Sequence, residues 1–412
     1  MVKQYIKTGL NMCLILIGGG IIGTLLLWMV FCIPTNKAYT RYCANGREMI
    51  GSRGWWHSYL VDYDASTLDN VTEMEMLKVA STPFPEETGE SKLQYAMRAY
   101  RILDQTWYEG NRDGEFEHES YERYWHGYTV VLKPLLHYFS YTDIIFMNMG
   151  IQIVLIFVLL YILIKKNYTN LQFIFVFFWI LTMQVIIMFS MDYSVCFYIY
   201  MLGSLAILLF DKAREKYIYT FLVLGMLTSY MDFLTWPLVT LVMPLITFLC
   251  VEKKKLLSAV LASMSWGIGY AVFWAEKWIL GSAILDTNII KNAIDTFLMR
   301  SSITVQEDGV ETSFIDTLRL NFSVFDKRGY LVFFALAFLG VFIFQIYRMY
   351  RGAKFRKEIF FRYIALVVLP LGWYMVTTNH ATIHYWMTWR NAAIFVMIVF
   401  VAMLECVKSP YE

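Results

Sequence analysis

Asp143–Lys166 reads DIIFMNMGIQIVLIFVLLYILIKK. A helix needs about 20 predominantly apolar residues to cross the hydrocarbon of a bilayer, and the 143–164 stretch supplies them before the chain stops against Lys165 and Lys166. Nine further runs share this character, several of them shorter, at approximately 10–33, 171–190, 194–210, 217–231, 235–251, 258–275, 330–347, 363–377 and 391–407. The composition agrees. With 58% hydrophobic and 17% charged residues, the chain has too little polar surface to coat a soluble globule of 412 residues. The expectation is an all-α polytopic membrane protein of about ten transmembrane helices. It divides into an N-terminal transmembrane module, 1–275, and a C-terminal module, 276–412. The first thirty residues begin like a signal peptide, with Lys3 and Lys7 ahead of an apolar run. No small-residue cleavage site follows before Pro34, so the run is read as a retained span.

Positive charge stays on the cytoplasmic side of short loops. Lys3 and Lys7, Lys165 and Lys166, Lys212 to Lys216, Lys253 to Lys255, the Arg348–Arg362 cluster and Lys408 all fall on one side if the ten spans hold. Both termini are then cytoplasmic in a multi-pass cell-membrane protein. The large 34–142 loop, the 276–329 loop and the turns near Asp192, Asp232 and His380 face outward. All six histidines lie on that outer side, which is what an active site at the outer interface requires and a purely structural bundle does not.

The 34–142 loop carries sixteen Asp and Glu against eleven Lys and Arg, together with four histidines and Trp55, Trp56, Trp107 and Trp125. Helices are expected at 69–80, 91–108 and 119–132, lying across the mouth of the bundle, with turn-rich connectors at 81–90 and 109–118. In the 276–329 loop, 286–299 and 313–320 have amphipathic character. Gly18, Gly19, Gly20 and Gly23 give the first span a small-residue face suited to close helix packing. Five of the six cysteines lie in or beside apolar runs and only Cys43 is in the loop, so no disulfide framework is implied.

Candidate chemistry falls in four places. Asp62, Asp64, Asp69 and Glu73 are loop acids, any one of which could take a proton from an acceptor hydroxyl; the bland alternative is a solvated or helix-capping acid. Asp69 and Glu73, four apart, share a helix face. Arg123, Tyr124, Trp125, His126 and Lys133 surround the entry to the second span, where the cations could bind a lipid phosphate or pair with the loop's own acids. Asp232 sits in a tight turn between spans, where an acid is costly unless partnered. Asn379, His380, His384 and Arg390 form the fourth group. The two histidines have the i, i+4 spacing of a zinc pair, but Ala381 stands where a zinc protease has Glu, which disfavours metalloproteolysis. The alternative is that His380, His384 and Arg390 gather the oxygens of an anion. Trp386 and Trp389 suit an interfacial aromatic belt. There is no phosphate-cradling Gly loop, no GxSxG, no CxxC pair and no basic stripe for nucleic acid.

In layout the chain resembles the GT-C superfamily of polytopic glycosyltransferases that use polyprenyl-phosphate-linked sugars. One span is followed by a large outer loop with acids and interfacial helices, then by a bundle with outward-facing sites. Leu68–Glu73, Tyr121–Lys133, Tyr230–Pro237 and Asn379–Arg390 carry the likeness. It implies inverting sugar transfer from a polyprenyl-phosphate donor to a hydroxyl of a glycan, lipid or protein acceptor, among membrane lipids. A loop carboxylate would act as base, and Arg123, Lys133 and Arg390 would stabilise the departing phosphate. No cofactor is required by this chemistry, and a divalent metal is compatible with it. A transporter or flippase for a lipid-linked saccharide is the alternative, although the charges crowd the outer ends and the two halves show no symmetry. An acyl- or phosphotransferase using His126 or His380 is a third reading.

Overall fold

The computed structural model describes residues 2–34, 37, 41, 45–46, 49, 52, 54, 56–82, 88–102, 118–253, 255–302, 304–305 and 310–408. Cys43, Trp55, Trp107, Pro83 and Pro85 lie outside them. The protein is an all-α polytopic membrane protein. Among the described residues, seven helical stretches are long and apolar enough to cross a membrane: Ile6–Phe31, Tyr141–Lys165, Met191–Leu209, Leu256–Leu285, Arg328–Tyr350, Lys357–Val376 and Tyr385–Glu405. The other three expected spans fall on shorter apolar helices, Thr169–Leu181, Tyr217–Met231 and Val239–Glu252. Each expected run thus coincides with one helical stretch, three of them below spanning length.

Two of these stretches are interrupted. The 171–190 run breaks after Leu181, where Met183 takes a left-handed backbone (φ +51°) before a short Gln184–Met188 helix. The break is buried, so its polar groups need partners. Asn148 donates to the Met188 carbonyl at 2.8 Å, and Gln184 donates to Gln152 at 2.7 Å. The Lys357–Val376 stretch passes through a 3₁₀ turn at Ala365–Val367, immediately before Pro370. Proline lacks the N–H that would bond to Leu366, and its ring crowds that carbonyl, which loosens this turn.

Helix Tyr217–Met231 lies against Leu256–Leu285 at backbone distance. A Cβ on Gly225 would come within 2.1 Å of the Trp266 carbonyl oxygen, and one on Gly269 within 2.1 Å of the Leu222 carbonyl oxygen. Small residues permit this approach, and no side-chain rotation can relieve a clash with backbone. Gly19, Gly20 and Gly23 of the first span serve a similar purpose against Met226, Glu276 and Tyr230, whereas a Cβ on Gly18 would meet nothing. Gly225→Ala is expected to destabilise the fold by about 2–3 kcal/mol, the upper part of the cost of overpacking. A lowered midpoint of thermal unfolding in detergent checks this; an unchanged midpoint would mean that the two helices do not meet backbone to backbone.

The loop helices differ from the sequence expectation in two places. Asn70–Ser81 forms as expected with Asp69 as its N-cap. Of the expected 91–108 helix, the described residues form Lys92–Arg98, closed by Ala99 in a left-handed backbone (φ +50°) and followed by a two-residue strand; 103–108 lie outside the described residues. The 119–132 helix is replaced by a strand residue, turns and then Thr129–Tyr138. Tyr121, Tyr124 and His126 pack their rings around Phe233 at 5.2–5.9 Å, which fixes the chain in a non-helical path. His126 is left-handed (φ +54°), and the Gly127 N–H donates to the Tyr230 carbonyl at 2.8 Å. Pro134 falls inside the later helix instead of ending it. The amphipathic segments of the second loop are the Ile289–Ser301 and Phe314–Ser323 helices.

Candidate active site

The acids come together first. Asp69 caps its own helix: the Thr72 N–H donates to Oδ1 and the Thr72 hydroxyl to Oδ2, both at 2.9 Å. The Trp386 indole N–H, from far along the chain, also donates to Oδ2 at 3.3 Å. One turn on, Glu73 caps a second helix. The Met191 N–H donates to its two oxygens at 2.8 and 3.0 Å, and the Asp192 N–H to Oε2 at 3.0 Å. Asp192 accepts from Ser190 and from the Tyr193 N–H, while its Oδ2 is buried with no hydrogen-bond partner among the described residues. Burial holds the Asp69 carboxyl above its usual range against the pull of its Thr72 and Trp386 donors. Burial also pushes Glu73 up to about 7, with the nearby Asp69 adding to the effect. A buried carboxylate with a raised pKa is a stronger base than a solvated one.

The histidine pair lies beside this group. His384 stands 5.4 Å from the Trp386 ring, and His380 stands 4.7 Å from His384, centroid to centroid. His380 Nε2 faces the Leu234 carbonyl at 3.1 Å, so Nε2 carries the proton and Nδ1 is left as an acceptor with no partner among the described residues. An Arg300 guanidinium nitrogen lies 3.4 Å from His384 Nε2. Arginine can only donate, which places the His384 proton on Nδ1. Burial lowers His380 to about 4 and His384 well below the ordinary imidazole range; the Arg300 charge lowers both further. Both rings are therefore neutral at pH 7.

His380 and Arg300 open onto a cavity of about 240 Å³, which Arg123, Tyr124, Trp274 and Trp373 also line. Trp274 and Trp278 each donate their indole N–H to the Arg123 carbonyl, at 2.9 and 3.1 Å. With those N–H groups occupied, the two indoles offer the cavity apolar ring surface. The Arg123 guanidinium donates to Asn292 at 3.0 Å. Asp232 stands close enough for its charge to act on Tyr124 and Tyr270 in the cavity wall. It accepts from the Thr235 N–H at 3.2 Å and the Cys196 thiol at 3.3 Å, and burial pushes it up to about 6.

Several expected participants are elsewhere. Asp62 is exposed and Asp64 half-buried, at the turn before the Asn70–Ser81 helix. Trp125 is buried as a wall element, stacked on Phe273 at 4.9 Å and donating to its carbonyl at 2.7 Å. His126 Nε2 donates to the Tyr121 carbonyl at 2.7 Å, and Nδ1 accepts from Tyr128 at 3.0 Å; burial lowers it to about 3, so it is a neutral structural ring. Lys133 is buried against the Ala80 carbonyl at 3.0 Å and lowered by burial to about 7. Asn379 is buried beside His380. Arg390 does not join the histidines. Its guanidinium is fully buried over the Tyr193 ring at 4.0 Å and the Trp389 ring at 5.0 Å, with no hydrogen-bond partner among the described residues.

Compared with known proteins, the chain matches no family model, no curated protein and no solved structure. The site must therefore be read from its own geometry. Among the described residues no group of three or more His, Cys, Asp or Glu side chains is disposed to hold a metal ion.

Arg300, Trp274, Trp278 and Trp373 were not foreseen. Arg300 follows an amphipathic segment, but nothing in the sequence says that this helix leans over the cavity. Asp192 stood out only as an acid in a turn, and its nearness to Glu73 comes from the Glu73 side chain capping a distant helix.

Proposed function

We propose that this chain is an integral-membrane glycosyltransferase. It moves a sugar from a polyprenyl-phosphate donor to a hydroxyl of an extracytoplasmic glycan, lipid or protein acceptor. One observation carries this reading: Asp69, Trp386, His384, Arg300 and the cavity form an unbroken line of contacts. A basic carboxylate stands at one end of that line and guanidinium groups stand at the other.

Transfer needs both ends. Arg300 and Arg123 hold the donor phosphate, since planar guanidinium groups suit phosphate oxygens and stabilise the charge that grows on a leaving phosphate. The indole faces of Trp274 and Trp373 pack against the sugar ring. His380 Nδ1 accepts from a sugar hydroxyl and His384 Nδ1–H donates to an oxygen. Asp69 takes the proton of the acceptor hydroxyl as its oxygen attacks the anomeric carbon. The bond from that carbon to the phosphate oxygen breaks, polyprenyl phosphate leaves with the electron pair, and the configuration inverts. Burial sustains the raised basicity of Asp69, and Glu73 ties its helix to the Met191 and Asp192 N–H groups. A groove of about 710 Å³, lined by Met76, Tyr128 and Met191 at one end and Lys212 and Lys216 at the other, is wide and apolar enough for the prenyl chain. Its first end adjoins the helix that carries Asp69 and Glu73.

The broken Thr169–Met188 run favours a second reading, a transporter of lipid-linked saccharides, because interrupted helices mark many transport sites. Here, however, the buried amides of Asn148, Gln152 and Gln184 bond to one another, to Ser194 and to backbone, as the satisfied polar groups of a packed interior do. Purified protein in vesicles, given a radiolabelled panel of polyprenyl-phosphate sugars and candidate acceptors, is expected to consume one donor and release polyprenyl phosphate. If no donor is consumed and the lipid instead moves between leaflets, the transporter reading takes over.

A further inference from the structure

The Tyr385–Glu405 helix starts beside Asp69 and runs for 21 residues, about 30 Å, to the opposite end of the bundle. There it meets the end of Val239–Glu252 and the start of Lys357–Ile364 around a second cavity of about 320 Å³. Lys253, Arg356, Arg362 and Lys408 line it against Glu358 and Glu405, four positive charges to two negative, a balance of +2. Glu405 is already engaged by Lys408 at 2.7 Å and by Asn170 at 2.6 Å. Among the described residues neither Arg356 nor Arg362 makes an ion pair.

The cavity is held open by backbone. Lys354–Phe355 pairs antiparallel with Val407–Lys408, and the Arg356 N–H donates to the Cys406 carbonyl at 2.7 Å. Tyr363 and Cys250 meet across the floor at 3.2 Å. Lys253 and Lys408 follow the C-termini of two helices, where cations offset the helix dipole. That accounts for the lysines and leaves the two arginines. Beside them Phe355 and Phe361 are 50% and 63% exposed, apolar surface that the acyl chains of a lipid would cover.

We propose that this cavity binds the phosphate of an anionic phospholipid from the adjacent leaflet, with Arg356 and Arg362 as its principal ligands. Basic pockets between membrane helices take such headgroups, and exposed aromatics favour a lipid over a free anion. The test is retention of phosphatidylglycerol against phosphatidylcholine by the purified full-length protein, read by native mass spectrometry and by the thermal unfolding midpoint. Phosphatidylglycerol is expected to be retained and to raise the midpoint. The double variant Arg356→Ala/Arg362→Ala should weaken retention about 25-fold, about fivefold for each charge removed. The charge-preserving pair Arg356→Lys/Arg362→Lys should retain more than the alanine pair, since it keeps the charge and loses the planar fork, and this guards against a misfolded alanine variant. Arg351→Ala/Lys357→Ala, at neighbouring exposed positions, should bind as wild type does. An equal loss in that control would replace the site by diffuse surface charge, and equal stabilisation by inorganic phosphate would make the ligand a soluble anion; either result overturns the proposal. Sugar transfer at the Asp69 end is unchanged by these variants, so this site and the proposed activity stand or fall separately.

Discussion

Asp69→Asn is expected to lower sugar transfer by about 10²–10⁴-fold, the range spanned by a general base, while the protein stays folded. The two consequences separate because Asp69 has two tasks. Asparagine caps a helix about as well as aspartate, so its side-chain oxygen can still accept from the Thr72 N–H that Asp69 holds at 2.9 Å; the NH₂ that replaces Oδ2 can donate to the Thr72 hydroxyl and gives up the longer contact with half-buried Trp386 at 3.3 Å. It cannot take a proton at neutral pH. Glu73→Gln should behave in the opposite way. Both Glu73 oxygens accept backbone N–H groups of Met191 and Asp192. An amide would set its own NH₂ against those donors and leave a buried N–H unsatisfied, at a cost of about 1–3 kcal/mol. The sign of the wild-type pH dependence follows from burial, which raises the Asp69 pKa. The base works only when ionised, so transfer rises with pH through that raised pKa, and Asp69→Asn removes this limb. Donor turnover and unfolding midpoints, measured together on the two variants, check the pair. An Asp69→Asn protein that turns over normally would make Asp69 a cap and nothing more.

Arg300→Ala is expected to lower kcat/KM for the lipid-phosphate donor by about 10²-fold, comparable to deleting one preorganised donor to a developing anion. Arg300→Lys should recover only part of this, because an ammonium lacks the planar fork that grips two phosphate oxygens. A second effect follows from the 3.4 Å contact with His384. The Arg300 charge helps to keep His380 and His384 neutral, so its removal moves both toward the ordinary imidazole value. The histidines then gain charge at higher pH, and the acid limb of the pH–rate profile shifts upward. A residue that only supported the fold would lower stability without moving that limb. Steady-state kinetics across pH on wild type, Arg300→Ala and Arg300→Lys test this.

The bundle was legible because bilayer thickness leaves its mark on every apolar run, and each run lies on one helical stretch. The break at Met183 was not, since Thr182 and Met183 carry no breaker signal and the buried amides that satisfy the break are remote in sequence. Within the loop, Asp69 and Glu73 could be found from their spacing on one helix face. The 119–132 segment misled because Tyr124, Tyr128 and Val131 have helical spacing, whereas the rings of Tyr121, Tyr124 and His126 pack around Phe233, about 110 residues away. Arg390 misled in another way. Its place beside the histidine motif pointed to the cavity, but it starts the buried face of a helix and turns onto Tyr193, while Arg300 arrives from the second loop. The close approach of Gly225 and Gly269 leaves a weaker mark than the cluster at Gly18–Gly23, small residues four apart at Gly225–Ser229 and Ser265–Gly269.

The proposed activity requires that the Asp69 end face away from the cytoplasm, where the donor arrives already activated, and that the basic end face inward. Labelling by a membrane-impermeant maleimide in sealed right-side-out vesicles measures this directly. Single cysteines at Asp295, on the helix that carries Arg300, and at Glu358, beside the basic cavity, are introduced after the six native cysteines are replaced. Both positions are exposed. The Asp295→Cys protein should label without permeabilisation and the Glu358→Cys protein only after it. Labelling of both from one side, or of Glu358→Cys alone from outside, would contradict an extracytoplasmic glycosyltransferase.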